Sequence, residues 1–229
     1  MSFDVNAIRI SLAILMLSIA SYTDIKKREI DDRIWMIFGG LSVIMLFLTS
    51  DISHSLVTIG ISLLVAPIAL LVWRIGFFGG ADAFALIVLA SLAPEVTLSS
   101  SQVNPFTTLI NTVLLSIIPV LVNIIRNVVS ILRHEDIFKG FENETQKNKI
   151  IAMFVGHRSK NPRFSFSIEK QDGNSRKLDF TLKNADNAEF CSSSDTWVTP
   201  GVPYMIYIFG GFIVQLVCGD MIFNLMGML

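Results

Sequence analysis

The chain has 229 residues, of which 52% are apolar and 16% charged, and its mean hydropathy is +0.60. A formal net charge of −1 argues against a nucleic-acid partner, and the scattered Cys191, Cys218, His54, His134 and His157 match no disulfide framework, redox motif or zinc-ligand spacing. What remains is a membrane protein whose charge is concentrated late, with 11 basic and 10 acidic residues between Arg133 and Asp195.

Apolar runs occupy roughly residues 8–22, 34–49, 56–73, 83–93, 106–125 and 203–229. About 20 residues are needed to cross about 30 Å of hydrocarbon, so each run reads as a transmembrane helix, the second and fourth drawing on flanking residues. The first run resembles a signal peptide in place, but its positive charge follows the apolar stretch instead of preceding it. It is therefore expected to stay as an anchor.

Helix 1 ends on Asp24, followed by Ile25-Lys26-Lys27-Arg28-Glu29-Ile30. Helix 4 opens on Gly79-Gly80-Ala81-Asp82. Of the 18 basic residues, Arg9 alone falls outside the segments that follow helices 1, 3 and 5. Those segments are cytoplasmic by the excess of positive charge, which places both termini outside. Helices 2 and 3 form an out-and-back excursion, so Asp24 and Asp82 share the cytoplasmic face. If Arg9 snorkels outward and Glu95 marks the outer surface, helix rise places the two carboxyls about 7 and 10 Å inside the hydrocarbon edge.

Each aspartate alone has a plain reading, Asp24 as a juxtamembrane charge and Asp82 as a helix cap. Together, at one depth and beside the glycines, they form a candidate catalytic pair. Ionisable groups near hydrocarbon are costly, and two carboxylates that meet in low dielectric can share a proton and activate water. The chain has no HExxH, no GxSxG and no candidate Cys–His pair to supply another route.

The segment Tyr22-Thr23-Asp24-Ile25-Lys26-Lys27-Arg28-Glu29-Ile30 resembles the first aspartate motif of the type IV prepilin peptidases and archaeal preflagellin (prearchaellin) peptidases. Gly79-Gly80-Ala81-Asp82 is similar to the GxGD motif of that family and of presenilin-like proteases, with Ala81 in place of the second glycine. Asp195-Thr196-Trp197-Val198-Thr199-Pro200-Gly201-Val202-Pro203 resembles the entry to the last helix of the preflagellin peptidases. Phe84 stands where many relatives carry Lys, so no role of that Lys transfers.

The resemblance implies a membrane aspartic endopeptidase that cuts the short basic leader from preflagellin or other type IV pilin-like precursors at the cytoplasmic face. Asp24 and Asp82 would be catalytic, Gly79, Gly80 and Ala81 would support the second motif, and no metal or organic cofactor would be needed. Glu29, Asp31 and Asp32 border the cytoplasmic mouth and could attract a basic leader, or be solvated loop charges. The rival classes are a small proton- or ion-coupled transporter that uses intramembrane aspartates, and a scaffold subunit. Asp220, late in helix 6, reads as structural.

The expected fold is an α-helical polytopic membrane protein, with six transmembrane helices and a small cytoplasmic antiparallel β insert before the last helix. Residues 1–130 form the membrane domain, 131–198 the insert and 199–229 helix 6. Within the insert, Phe164, Phe166 and Ile168 alternate, as do Leu178, Phe180 and Leu182, on either side of Asp172-Gly173-Asn174, which predicts a hairpin. Residues 150–155 are a candidate third strand.

Overall fold

The computed structural model describes residues 4–98, 103–172, 175–181 and 189–227. The chain is mostly helical, and it divides into two units, Met1–Leu115 with Pro203–Leu229, and Ser116–Val202.

In the first unit, α1 (Val5–Lys27) is followed by α2 (Arg33–Phe47), α3 (Ile52–Ser62), α4 (Val65–Arg74), α5 (Gly80–Leu92) and α6 (Thr107–Leu115). Asp4 starts α1 by accepting the Asn6 and Ala7 N–H groups at 3.1 and 3.2 Å. Buried Ala13, Met16, Leu17 and Ala20 recur at helical spacing and form one face of α1. They join a core made by Ala83, Leu86 and Leu89 of α5 and by Met205, Ile208 and Phe212 of the later helix α9 (Tyr204–Cys218). Helix α5 lies at the centre, packed against α1, α2, α4 and α9.

Three stretches are long and apolar enough to cross a membrane, namely Val5–Lys27, Ile52–Arg74 and Thr107–Leu132. The apolar helices Arg33–Phe47, Gly80–Leu92 and Tyr204–Cys218 are shorter. The second stretch breaks between α3 and α4, and the third between α6 and α7 (Ile117–Leu132). Both breaks have one cause. Pro67 and Pro119 have no N–H to give the carbonyls of Leu63 and Leu115, four residues earlier, so the helical ladder stops there. The Ala66 N–H takes the Leu63 carbonyl instead, at 2.9 Å.

The second unit contains α7, α8 (Gln146–Val155), β1 (His157–Ser159), β2 (Ser165–Ser167), β3 (Glu169–Asp172), β4 (Ser175–Leu178) and β5 (Thr196–Pro200). The β1, β5 and β2 strands form an antiparallel sheet in that order, and β3 pairs antiparallel with β4. The small antiparallel structure anticipated for the insert is present, but its pairing is divided. Only Glu169–Asp172 forms the hairpin arm with Ser175–Leu178, while Ser165–Ser167 pairs with β5. The turn at Gly173 and Asn174, and Leu182, lie outside the described residues.

Residues 150–155 are not a strand. They form the body of α8, because the Thr145 hydroxyl accepts the Asn148 N–H at 3.3 Å and starts a helix that carries through the apolar run. Buried Ala152 and Trp197, with Ile137, Phe141, Ile168 and Leu178, form this unit's core. The Trp197 indole N–H donates to the Ile137 carbonyl at 2.9 Å, and its ring stacks on Phe138.

Candidate functional site

Helix α5 begins at the glycine motif, with Gly79 as N-cap and Asp82 three residues on. The Gly79 N–H donates to Asp82 Oδ2 at 3.0 Å, which satisfies a donor that the helix start would otherwise leave exposed. Asp82 is 7% exposed. Gly80 has a packing reason to be glycine, since a Cβ there would lie 3.1–3.3 Å from the Trp73 indole. Gly76, with φ of +84°, has a conformational one. Ala81 occupies the second helical position and packs partly buried against the core.

Asp24 lies in the last turn of α1 and is half-buried. Arg28 closes that helix in the left-handed region at φ 60°, its N–H donating to the Asp24 carbonyl at 2.9 Å. Asp24 Oδ2 accepts the Met205 N–H at 3.2 Å, so the carboxylate faces the first turn of α9. The positive end of a helix is a favourable neighbour for an anion.

Both aspartates stand at one end of the first unit. At the other end buried Arg9 donates from Nη1 to the Leu92 carbonyl at 3.1 Å, which ties the start of α1 to the end of α5. From that lock, helix rise carries α1 about 22 Å to Asp24 and α5 back about 15 Å to Asp82. Arg9 therefore turns into the protein instead of snorkelling outward. The start of α9 bridges the two motifs. Met205 contacts Asp24, and the neighbouring Tyr204 ring stacks on Phe78, one residue before Gly79, with centroids 5.6 Å apart.

Glu29, Asp31 and Asp32 are exposed between α1 and α2. Asp31 Oδ1 accepts the Arg33 N–H at 2.9 Å, and Asp32 occupies the N-cap position of α2 with no side-chain cap bond. Asp220 is fully buried and caps α10 (Met221–Leu225), accepting the Ile222 and Phe223 N–H groups, the Asn104 amide at 3.1 Å and the Thr107 hydroxyl at 3.3 Å. Among the described residues no group of three His, Cys, Asp or Glu side chains is placed to hold a metal ion.

Phe78, Tyr204 and the Met205 N–H were not singled out from sequence. A backbone donor has no side-chain signature, and Asp24 and Met205 lie 181 positions apart. Arg9 was read from sequence as the lone basic residue outside the segments after helices 1, 3 and 5, but with its side chain expected to snorkel outward.

Comparison with known proteins gives concordant results. The type IV leader peptidase family matches residues 11–125, and the archaeal peptidase A24 C-terminus, type II, matches residues 133–221. A protein of Methanocaldococcus jannaschii described as a preflagellin peptidase is 26% identical over 228 residues, covering 91% of this chain and 93% of its own. One of Methanococcus maripaludis with the same description is 28% identical over 234 residues, covering 92% and 94%.

Proposed function

The chain belongs to the type IV leader peptidase family and is a protease that removes leader peptides, and from that premise we propose that it is an aspartic endopeptidase acting on preflagellin or a related type IV pilin-like precursor. Asp24 and Asp82 form its catalytic pair. The observation that carries this reading is their placement at the same end of antiparallel α1 and α5, joined through the first turn of α9.

The chemistry follows from two carboxyl groups and water. One carboxylate takes a proton from water as it attacks the scissile carbonyl. The other, protonated, donates to the carbonyl oxygen as charge develops there. The proton held by the first then passes to the leaving amine. The pair titrates as a unit, so the roles belong to its shared protonation state. Gly79, Gly80 and Ala81 support the second carboxyl by allowing the close approach of Trp73 and a compact helix start.

The setting is a bilayer. Six spans are the reading that fits the apolar runs, with the three shorter helices extended by flanking residues or accommodated by local thinning. Residues 1–130 and 199–229 are membrane-embedded, residues 131–198 form a cytoplasmic insert, both termini are outside and the active site opens to the cytoplasm. Exposed Glu29, Asp31 and Asp32 border that opening and draw in the basic leader. The test is incubation of the purified full-length protein with preflagellin and pilin-like precursors. Release of the leader is expected, and intact precursor under conditions where the protein is folded would contradict the assignment.

A further inference from the structure

The second unit carries an apolar surface that its own core does not use. Helix α8 has two faces. Ala152 is buried and Met153 partly buried, both packed into the core with Leu178 and Phe138. On the opposite side Ile150, Ile151, Phe154 and Val155 are 56, 43, 47 and 39% exposed. With Lys147 at its start, this stripe has the i, i+3, i+4, i+7, i+8 spacing of an amphipathic helix, but it points outward. Patches of this kind mark a contact surface.

Its neighbour within the unit indicates what covers it. Asn123 and Asn127 lie one turn apart on α7, and both are buried. The Asn123 amide donates to the carbonyls of Phe154 and Val155 at 3.3 and 3.1 Å, and the Asn127 amide to those of Met153 and Gly156 at 3.0 and 2.7 Å. The end of α8 is thus fastened to a helix that belongs to a membrane-length apolar stretch, Thr107–Leu132. On that helix Leu121, Ile125 and Val128 are themselves exposed. Both helices of this joint therefore carry exposed apolar residues of their own.

We infer that α8 is an interfacial helix, its Ile150–Ile151–Phe154–Val155 face sunk in the acyl boundary and Lys147 at the level of the lipid headgroups. This rests on the chain being embedded in a bilayer, as proposed above. An amphipathic helix lies with its apolar side about 5–10 Å into the headgroup–acyl boundary, and a lysine at its edge reaches back to phosphate. The insert is then held to the membrane surface by a second element besides its covalent connections.

Nitroxide labels on single cysteines test this in the full-length protein, with Cys191 and Cys218, both free thiols, replaced by serine. Labels at 147, 151, 154 and 121 are read for collisions with oxygen and with a water-soluble nickel chelate. The measurement uses vesicles of phosphatidylcholine and phosphatidylglycerol. The inference expects 151 and 154 to be shielded from nickel and open to oxygen, with 147 at headgroup depth. Labels at 151 and 154 that meet nickel freely, while 121 reads as lipid, overturn the inference and leave the membrane reading standing. Labels shielded from both reagents overturn it in favour of a protein partner. A label at 121 open to nickel removes the membrane reading itself.

Discussion

Asp82 carries two assignments that one substitution separates. Its Oδ2 closes the first turn of α5 by accepting the Gly79 N–H, and in the proposed mechanism the same carboxyl moves a proton. Asn keeps an oxygen for the cap but cannot cycle a proton. Loss of a cap costs about 1 kcal/mol, so Asp82→Asn should retain its thermal midpoint while Asp82→Ala loses part of it. Turnover should fall in both by about 10²- to 10⁴-fold, the usual range for a general acid–base group. Assays of leader release beside thermal unfolding check this, and near-normal turnover by Asp82→Asn would leave Asp82 a cap only. At Glu29, Asp31 and Asp32 the expectation is different, because these side chains are exposed and would act on a leader at a distance. Reversing all three charges should raise KM for a basic leader with kcat unchanged, and high salt should erase the difference. An unchanged KM at low salt would make them plain solvated charges.

Among elements, the start of α9 has the most to say about the site. Its Tyr204 ring stacks on Phe78 beside the glycine motif, and such pairs contribute about 0.5–1.5 kcal/mol. If that stack sets the position of α9 against the Asp82 loop, Tyr204→Ala should lower kcat/KM by about 2- to 10-fold, the same energy read as a rate. No change in kcat/KM would show that the bridge does not matter for turnover.

The opposite end of the helix pair is held by Arg9. Arg9→Leu leaves the Leu92 carbonyl without that buried donor, and an unfolding measurement in detergent should find a loss of about 1–3 kcal/mol. An unchanged midpoint would remove Arg9 as the lock between α1 and α5.

The β unit has its own acid sensitivity. The Arg158 guanidinium, bonded twice to the Asp195 carboxylate at 2.7 Å, holds that carboxyl below its usual range. Glu144 is also lowered. Burial alone would raise it, but the Leu178 N–H, the Asn148 amide and the Thr145 N–H outweigh burial. Carboxyls with depressed folded pKa stabilise above their unfolded values, here 3.8 and 4.5, and that contribution is lost as pH falls through the lower folded values. Protection of the β5 amides from hydrogen exchange should therefore drop on acidification below about pH 4, and Asp195→Asn should flatten that dependence. An equally steep profile in the variant would assign the acid sensitivity to other groups.

For the whole molecule, what could be read from sequence and what could not divides along local and non-local physics. Over the described residues the six apolar runs all become mainly helical stretches, because hydrophobicity over 11 to 27 positions is a local property. The breaks within two of them were also written locally, in Pro67 and Pro119, four residues after the interrupted carbonyls. Residues 150–155 could be read two ways because a continuous apolar run has no period, and the cap at Thr145 is what decides for helix. The order β1–β5–β2 was out of reach, since β5 enters the sheet from about 30 residues beyond β2 and no turn chemistry announces it. The two aspartates were legible as acids in unfavourable places. The expectation of a common end came from charge bias and span counting, whereas the Met205 and Tyr204 bridge depends on α9 returning from the far end of the chain.

The most direct test of a shared two-carboxyl mechanism is leader release from a preflagellin-type precursor, followed by mass spectrometry. The full-length protein in vesicles is compared with Asp24→Asn and Asp82→Asn inserted to the same level. The account predicts a freed leader with the wild-type chain and release slowed by at least about 10²-fold with either variant. Release by either variant at the wild-type rate would contradict it.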